Sequence, residues 1–209
     1  MATATKAPAK YNTPLRQAQR DLTRSRIKNA ARNLFHDNHY DTTTMDEIAA
    51  AAGLRRSTLY LHYRDKAEIL ADVIADYAPR AKAVLSRLPG PAPTLRQIEL
   101  WVREVAKVVA KERVHLSIIL ELRRRHDSWN ALEHLTSELL ASIGENNPRF
   151  RAAAERDSDP MLRARALLLL QELTYSCEIY LENPSDARGK AMLKVAAQDF
   201  HAFLSPAEE

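Results

Sequence analysis

Apolar residues recur along this chain every three or four positions, and no stretch alternates with period two. Ile27, Ala30, Ala31, Leu34 and Phe35 fall at i, i+3, i+4, i+7 and i+8, one stripe of a helix. Ile69, Leu70, Val73, Ile74 and Tyr77 form a second stripe, and Ile98, Trp101, Val102, Val105 and Val109 a third. Further helices are predicted over 114–125, 128–143, 160–181 and 187–204. The polar stretch 146–159 reads as loop with room for a short helix. No internal repeat is found.

Local signals punctuate this pattern. "TMDE" at Thr44–Glu47 has the spacing of a capping box, in which hydroxyl and carboxylate each bond the other residue's amide. A short helix over 44–52 follows, burying Met45, Ile48, Ala49 and Ala52, and Gly53 ends it in the left-handed conformation. "DKAE" at Asp65–Glu68 repeats the capping logic with aspartate as cap. "LPGPAPT" over 88–94 stops a helix and forms a loop or linker. Asp159-Pro160 starts the helix 160–181, and Asn183-Pro184 closes it.

Between the capped helix at 44–52 and the helix beginning near 66 lies "LRRSTLYLHYR", dense in cations, hydroxyls and aromatic rings. Read as a second short helix over 55–63, it completes a helix-turn-helix. The first helix of such a pair braces across a DNA backbone and the second enters the major groove. A helical hairpin with a polar, solvated face has the same pattern.

Charge supports the polyanion reading. Residues 1–70 carry a net +5, and residues 71–209 a net −1. A basic first third on a nearly neutral remainder suits a nucleic-acid-binding head on a body with another task. The chain has 209 residues, enough for one small and one larger domain. Four glycines argue against a Gly-rich nucleotide cradle. One cysteine, Cys177, allows neither an internal disulfide nor a cysteine zinc site, which fits a cytoplasmic location. No apolar run is long enough to span a membrane. The N-terminal segment lacks the apolar core of a secretory signal, and its first twenty residues read as a disordered basic arm whose Lys6, Lys10, Arg16 and Arg20 can follow phosphates.

From Thr23 to Leu70 the chain resembles the DNA-binding domain of the TetR family of transcriptional regulators. The residues that carry the resemblance are "TRSRIKNAARNLF", "HYDTTTMDEIAAAAGL" and "STLYLHYRDKAEIL". Three positions depart from the family pattern. His39 stands where glycine usually precedes the tyrosine, Arg55 replaces a capping serine, and Ser57 replaces a glycine. The resemblance implies an all-α protein: an N-terminal three-helix helix-turn-helix domain over 21–66 and a C-terminal helical bundle for ligand binding and dimerisation over 67–209. It implies a regulator, most simply a repressor, bound as a homodimer to a palindromic double-stranded DNA operator and released by an unknown small-molecule effector.

Site residues follow partly from the resemblance and partly from chemistry. Thr43, Thr44, Thr58, Tyr60 and His62 resemble family phosphate contacts, and Ser57 shares their segment. Arg55 and Arg56 can each donate two bonds to guanine. Lys66 opens the next helix, where free amides and a cation together suit phosphate. In the body, Trp101, His115, Glu121, Glu172 and Tyr175 are the larger or polar residues on otherwise apolar helices, and are candidates for lining an effector pocket. "LRRRH" at 122–126 places cations at a helix end, which suits the helix dipole or an anionic effector.

The helix 160–181 is apolar almost all round and must be buried on every side. Leu167 and Leu170, with Met192, Val195, Phe200 and Phe203 from the last helix, are the predicted dimer interface. Glu112 and His115 make one Glu-x-x-His pair where a di-iron bundle needs two, so neither metal nor cofactor is expected. The rival reading is a helical-bundle enzyme or small-molecule-binding protein whose basic head mediates protein contacts, but the chain offers no nucleophile–base arrangement. A constitutive architectural DNA binder is a second rival, which a ligand-sized cavity would disfavour.

Overall fold

The computed structural model describes residues 14–123 and 129–205, and every regular element among them is an α-helix. In chain order these are α1 (Pro14–Asp37), α2 (Met45–Ala51), α3 (Arg56–Tyr60), α4 (Lys66–Leu85), α5 (Leu95–Lys111), α6 (Arg113–Arg123), α7 (Trp129–Gly144), α8 (Pro148–Ala154), α9 (Pro160–Glu182) and α10 (Ala187–Leu204). The chain divides into two compact units between Val73 and Ile74. The sequence places that division at residue 66. The first two turns of α4 group instead with the head, where Ile69, Leu70 and Val73 are buried.

In the head, Ile27, Ala31 and Phe35 of α1 are fully buried, together with Ile48 of α2 and Leu59 of α3. The capping box of α2 forms as predicted: Glu47 N–H donates to Thr44 Oγ1 at 3.2 Å, and Thr44 N–H donates to Glu47 Oε2 at 2.7 Å. Gly53 has φ +63°, its N–H bonds Ala50 O, and the Leu54 N–H bonds Ala49 O, both at 2.9 Å. This is a Schellman closure, which needs a left-handed residue at C′. The recognition segment is shorter than predicted: α3 ends at Tyr60, and residues 61–63 continue as a turn. The cap at Asp65 also differs in detail. Its Oδ1 accepts from Glu68 N–H, but the Glu68 carboxylate reaches the amide of Arg64 instead of its own cap.

The basic arm needs correction as well. α1 begins at Pro14, so Arg16 and Arg20 stand on a helix; Lys6 and Lys10 lie outside the described residues.

The body is built from the rest of α4 and α5 to α10. α9 and α10 pack closely on each other and both pack on α5. At their crossing, a Cβ on Gly189 would stand 2.8 Å from Tyr180 Cα, so only glycine fits. Trp101, Phe150, Phe200 and Phe203 form an aromatic core, with ring centroids 4.9–5.8 Å apart for successive pairs. Within 88–94 the linker buries Leu88, and Thr94 and Gln97 make a second capping box at the start of α5. The short helix in 146–159 is α8, capped by Asn147. The cations at 124–126 lie outside the described residues. No described helix is long and apolar enough to cross a membrane.

Candidate nucleic-acid interface and body cavity

The head presents α3 and its flanking turns as a polar face. Thr44, Arg55, Arg56, Ser57 and Tyr60 are exposed, and Thr58 and His62 half-buried. Arg55 occupies the N-cap of α3 and makes no side-chain capping bond, as expected of a residue without an acceptor. Arg56 is tethered instead. Its Nη1 lies 2.6 Å from Asp46 Oδ2, and its guanidinium sits 5.5 Å from the centre of the Tyr60 ring. To reach a base edge Arg56 must leave Asp46, whereas Arg55 has no such tie.

Two predicted phosphate contacts turn inward. Thr43 is 1% exposed, and its hydroxyl donates to His39 O at 2.8 Å. It is a clasp within the head, not a surface group. The reason is His39, whose φ of +67° puts a non-glycine residue in the left-handed region. The turn is held from several directions. Thr42 donates to Asn38 O, Thr43 donates through both hydroxyl and amide, and Lys66 Nζ donates to Tyr40 O, Asp41 O and Thr43 O at 2.5, 3.1 and 2.8 Å. Lys66 Nζ also lies 4.4 Å from the centre of the Tyr40 ring. An ammonium has three donors, and here all three are spent on the turn. The Lys66 side chain is therefore a brace, not a free phosphate contact.

A network that the sequence did not signal fixes α1 and the end of the recognition segment to α4. Asp72 Oδ2 accepts from Arg24 Nη2 and from Tyr63 Oη, each at 2.6 Å, and Arg24 stacks 4.4 Å above the Tyr63 ring. Burial alone would raise the Asp72 carboxyl; the Tyr63 hydroxyl and the Arg24 guanidinium outweigh it and hold the group below its usual value. Burial, followed by Asp72, pushes the Tyr63 hydroxyl up. The residues are 9 and 48 positions apart in the chain, so no helical spacing links them.

The body contains an apolar cavity of about 50 Å³. Its wall comprises Tyr77, Ala81, Val84 and Leu85 of α4; Val105, Val108 and Val109 of α5; Leu116, Ile119 and Leu120 of α6; Leu135 and Leu139 of α7; and Leu170, Leu173 and Thr174 of α9. No charged side chain lines it, and Tyr77 and Thr174 are its polar members. None of the five predicted effector residues lines it. Trp101 is core: its indole N–H donates to Val84 O at 2.9 Å, and its ring packs on Phe200. His115 Nδ1 pairs with Glu112 at 2.9 Å, and Glu112 takes a two-pronged grip from Arg80, so the Glu-x-x-His pair ties helices together. Glu121 is half-exposed and Tyr175 exposed. Glu172 hydrogen-bonds Asp199; burial, followed by that second carboxylate, pushes it up to about 7.

The predicted dimer residues split. Leu170, Phe200 and Phe203 are buried within a single chain, Phe200 at 0% exposure, so they belong to the core and not to an interface. Leu167 and Met192 are half-exposed, and Val195 is 45% exposed. The apolar residues that α9 leaves in solvent are Met161, Leu168 and Tyr175.

With this geometry in place the comparisons are direct. The sequence model of "Bacterial regulatory proteins, tetR family" matches residues 27–73, the helix-turn-helix and its supporting helices. The chain belongs to the TetR family. It is 28% identical over 191 residues to the HTH-type transcriptional regulator AcrR of Shigella flexneri, covering 87% of each chain. It is 24% identical over 178 residues to the regulator UidR of Escherichia coli K12, covering 82% of this chain and 88% of that one. A TetR-family regulator from Shewanella sp. PV-4 superposes with TM-score 0.66 at 14% identity over 86% of this chain and 95% of its own. One from Syntrophomonas wolfei superposes with TM-score 0.65 at 16% identity over 90% and 97%. This TetR-family chain is thus a DNA-binding transcriptional regulator of helix-turn-helix type, not an enzyme.

Proposed function

We propose that this regulator is a homodimeric, ligand-responsive repressor that holds a palindromic operator and releases it when an uncharged, apolar small molecule enters the body. The observation that carries this reading is the cavity. Its wall has no charge to hold an ionic group, so an anionic effector would be buried without a partner. An engineered apolar cavity of about 150 Å³ holds benzene. A guest of that size must therefore part the lining of this smaller one. Four of the lining residues stand on α4, and the same helix supplies Lys66 and Asp72 to the head. Occupancy and DNA affinity are coupled to the extent that a guest prefers one position of α4. A constitutive architectural binder has no use for such a cavity.

The dimer reading rests on Met161, Leu168 and Tyr175 of α9 and Val195 of α10, large apolar side chains exposed on the two C-terminal helices. Pairing of this face with its copy buries them and gives a two-fold axis to match a palindrome. A protein acting on DNA in this way works in the cytoplasm.

The test is a fluorescence-anisotropy titration of duplexes from the DNA flanking the gene, with and without 1-decanol or decanoate as probe. Release by decanol and not by decanoate supports the whole reading. Tight operator binding that no probe changes removes the ligand response. In sedimentation, Leu168→Glu should give a helical monomer; a dimer there would place the interface elsewhere.

A further inference from the structure

The helix-turn-helix pair does not account for the cations of α1. Arg16, Arg20 and Arg24 are spaced four apart and share one face of that helix. Arg24 is consumed by Asp72 and the Tyr63 ring. Arg20 and Arg16 continue the row toward the N-terminus, both exposed and without an acid partner among the described residues. The row meets the turn that ends the recognition segment. His62 lies within electrostatic reach of Arg20 and Arg24, and its Nδ1 is buried with no hydrogen-bond partner. The one acid nearby, Asp72, already accepts from Arg24 and Tyr63. The charged and titratable groups around His62 are thus two guanidiniums of α1, its neighbour Tyr63, and a carboxylate of α4 that others have neutralised.

We propose that Arg16, Arg20 and His62 form a phosphate clamp for the DNA backbone flanking the base pairs read by α3. The surface is continuous with exposed Tyr60 and Arg56 on the recognition helix. An anion there supplies the countercharge that the cluster lacks. The partner is the sugar–phosphate backbone, so the clamp adds affinity to every duplex and no sequence preference. It also makes binding sensitive to pH. In the free protein, burial followed by Arg20 and Arg24 holds His62 below its usual value, so the ring is neutral near pH 7. A phosphate beside it favours the imidazolium. Binding takes up a proton, and affinity rises as pH falls through the histidine range.

The experiment uses the full chain and a short duplex of arbitrary sequence, so the operator need not be known. The salt dependence of binding is measured for wild type and for Arg16→Gln with Arg20→Gln, with circular dichroism confirming the helices. Each phosphate contact contributes about 0.9 to the slope of log K against log salt. The double variant should lose about two units, while its preference among selected sites stays that of wild type. The tightening at low pH should vanish in His62→Gln. An unchanged slope in the folded double variant overturns the clamp, and so does pH dependence that survives in His62→Gln. Equal affinity for polyglutamate would assign the face to an acidic protein and overturn it too. Absence of any DNA binding by wild type would instead count against the regulator reading itself.

Discussion

The head and the body of this regulator are held together by different physics. The head is small, and its shape depends on polar clasps: a capping box, a Schellman closure, the Lys66 brace on three carbonyls and the Asp72 network. The body depends on apolar volume, with an aromatic core beside a cavity that has no charge in its wall. Polar clasps are directional and fix the orientation of α1, α2 and α3 against each other, which a surface that must match DNA requires. Apolar packing is non-directional, so a guest can replace side-chain contacts with its own. The contrast follows from the two tasks: the head must keep one geometry, and the body must be able to change.

Substitutions should respect that division. The largest effect is expected in the body. Phe200→Ala removes a fully buried ring stacked between Trp101 and Phe150 and should destabilise by about 3–5 kcal/mol in denaturant melts. A loss under 1 kcal/mol would mean that Phe200 serves an interface and that the body's core is smaller than described.

In the head, site selection from random duplexes should separate the two arginines. Arg55→Ala should lose about 1–3 kcal/mol of preference at one G·C pair. Arg56→Ala should lose less, because Arg56 must first give up Asp46. If Arg56→Ala alone changes the selected site, the ion pair with Asp46 exists only off DNA.

Asp72→Asn tests the clasps. The ion pair is partly solvated, so the cost should be about 1–2 kcal/mol. The sign with pH is fixed by the depressed carboxyl: its stabilisation is present above the ordinary aspartate range and is lost as pH falls through the lower folded value. Thermal melts of wild type should therefore lose more between neutral and acid pH than those of Asp72→Asn. Parallel losses would show that the network carries no net charge stabilisation.

The smallest effect has the opposite sign. His39→Gly relieves a left-handed non-glycine residue and should stabilise by about 0.5–1 kcal/mol in the same melts. Destabilisation would show that the imidazole itself takes part in holding the turn.

Much of the architecture was legible in the sequence because its signals act within one helical turn. Thr44-x-x-Glu47, Gly53 and Asp159-Pro160 name helix ends through bonds to amides three or four residues away, and the structure forms them. The exposed polar face of α3 was legible for the same reason. What a side chain does across the fold was not. Lys66 was read as a phosphate ligand and Thr43 as a surface contact, because nothing local reveals that His39 adopts positive φ and draws both inward. Trp101 and Phe200 were assigned to a pocket and an interface, yet they pack on each other. A helix apolar on every side says only that it is buried, not by what. Which apolar faces meet within one chain, and which are left for a ligand or a second copy, depends on residues a hundred positions apart, and only the tertiary structure decides it.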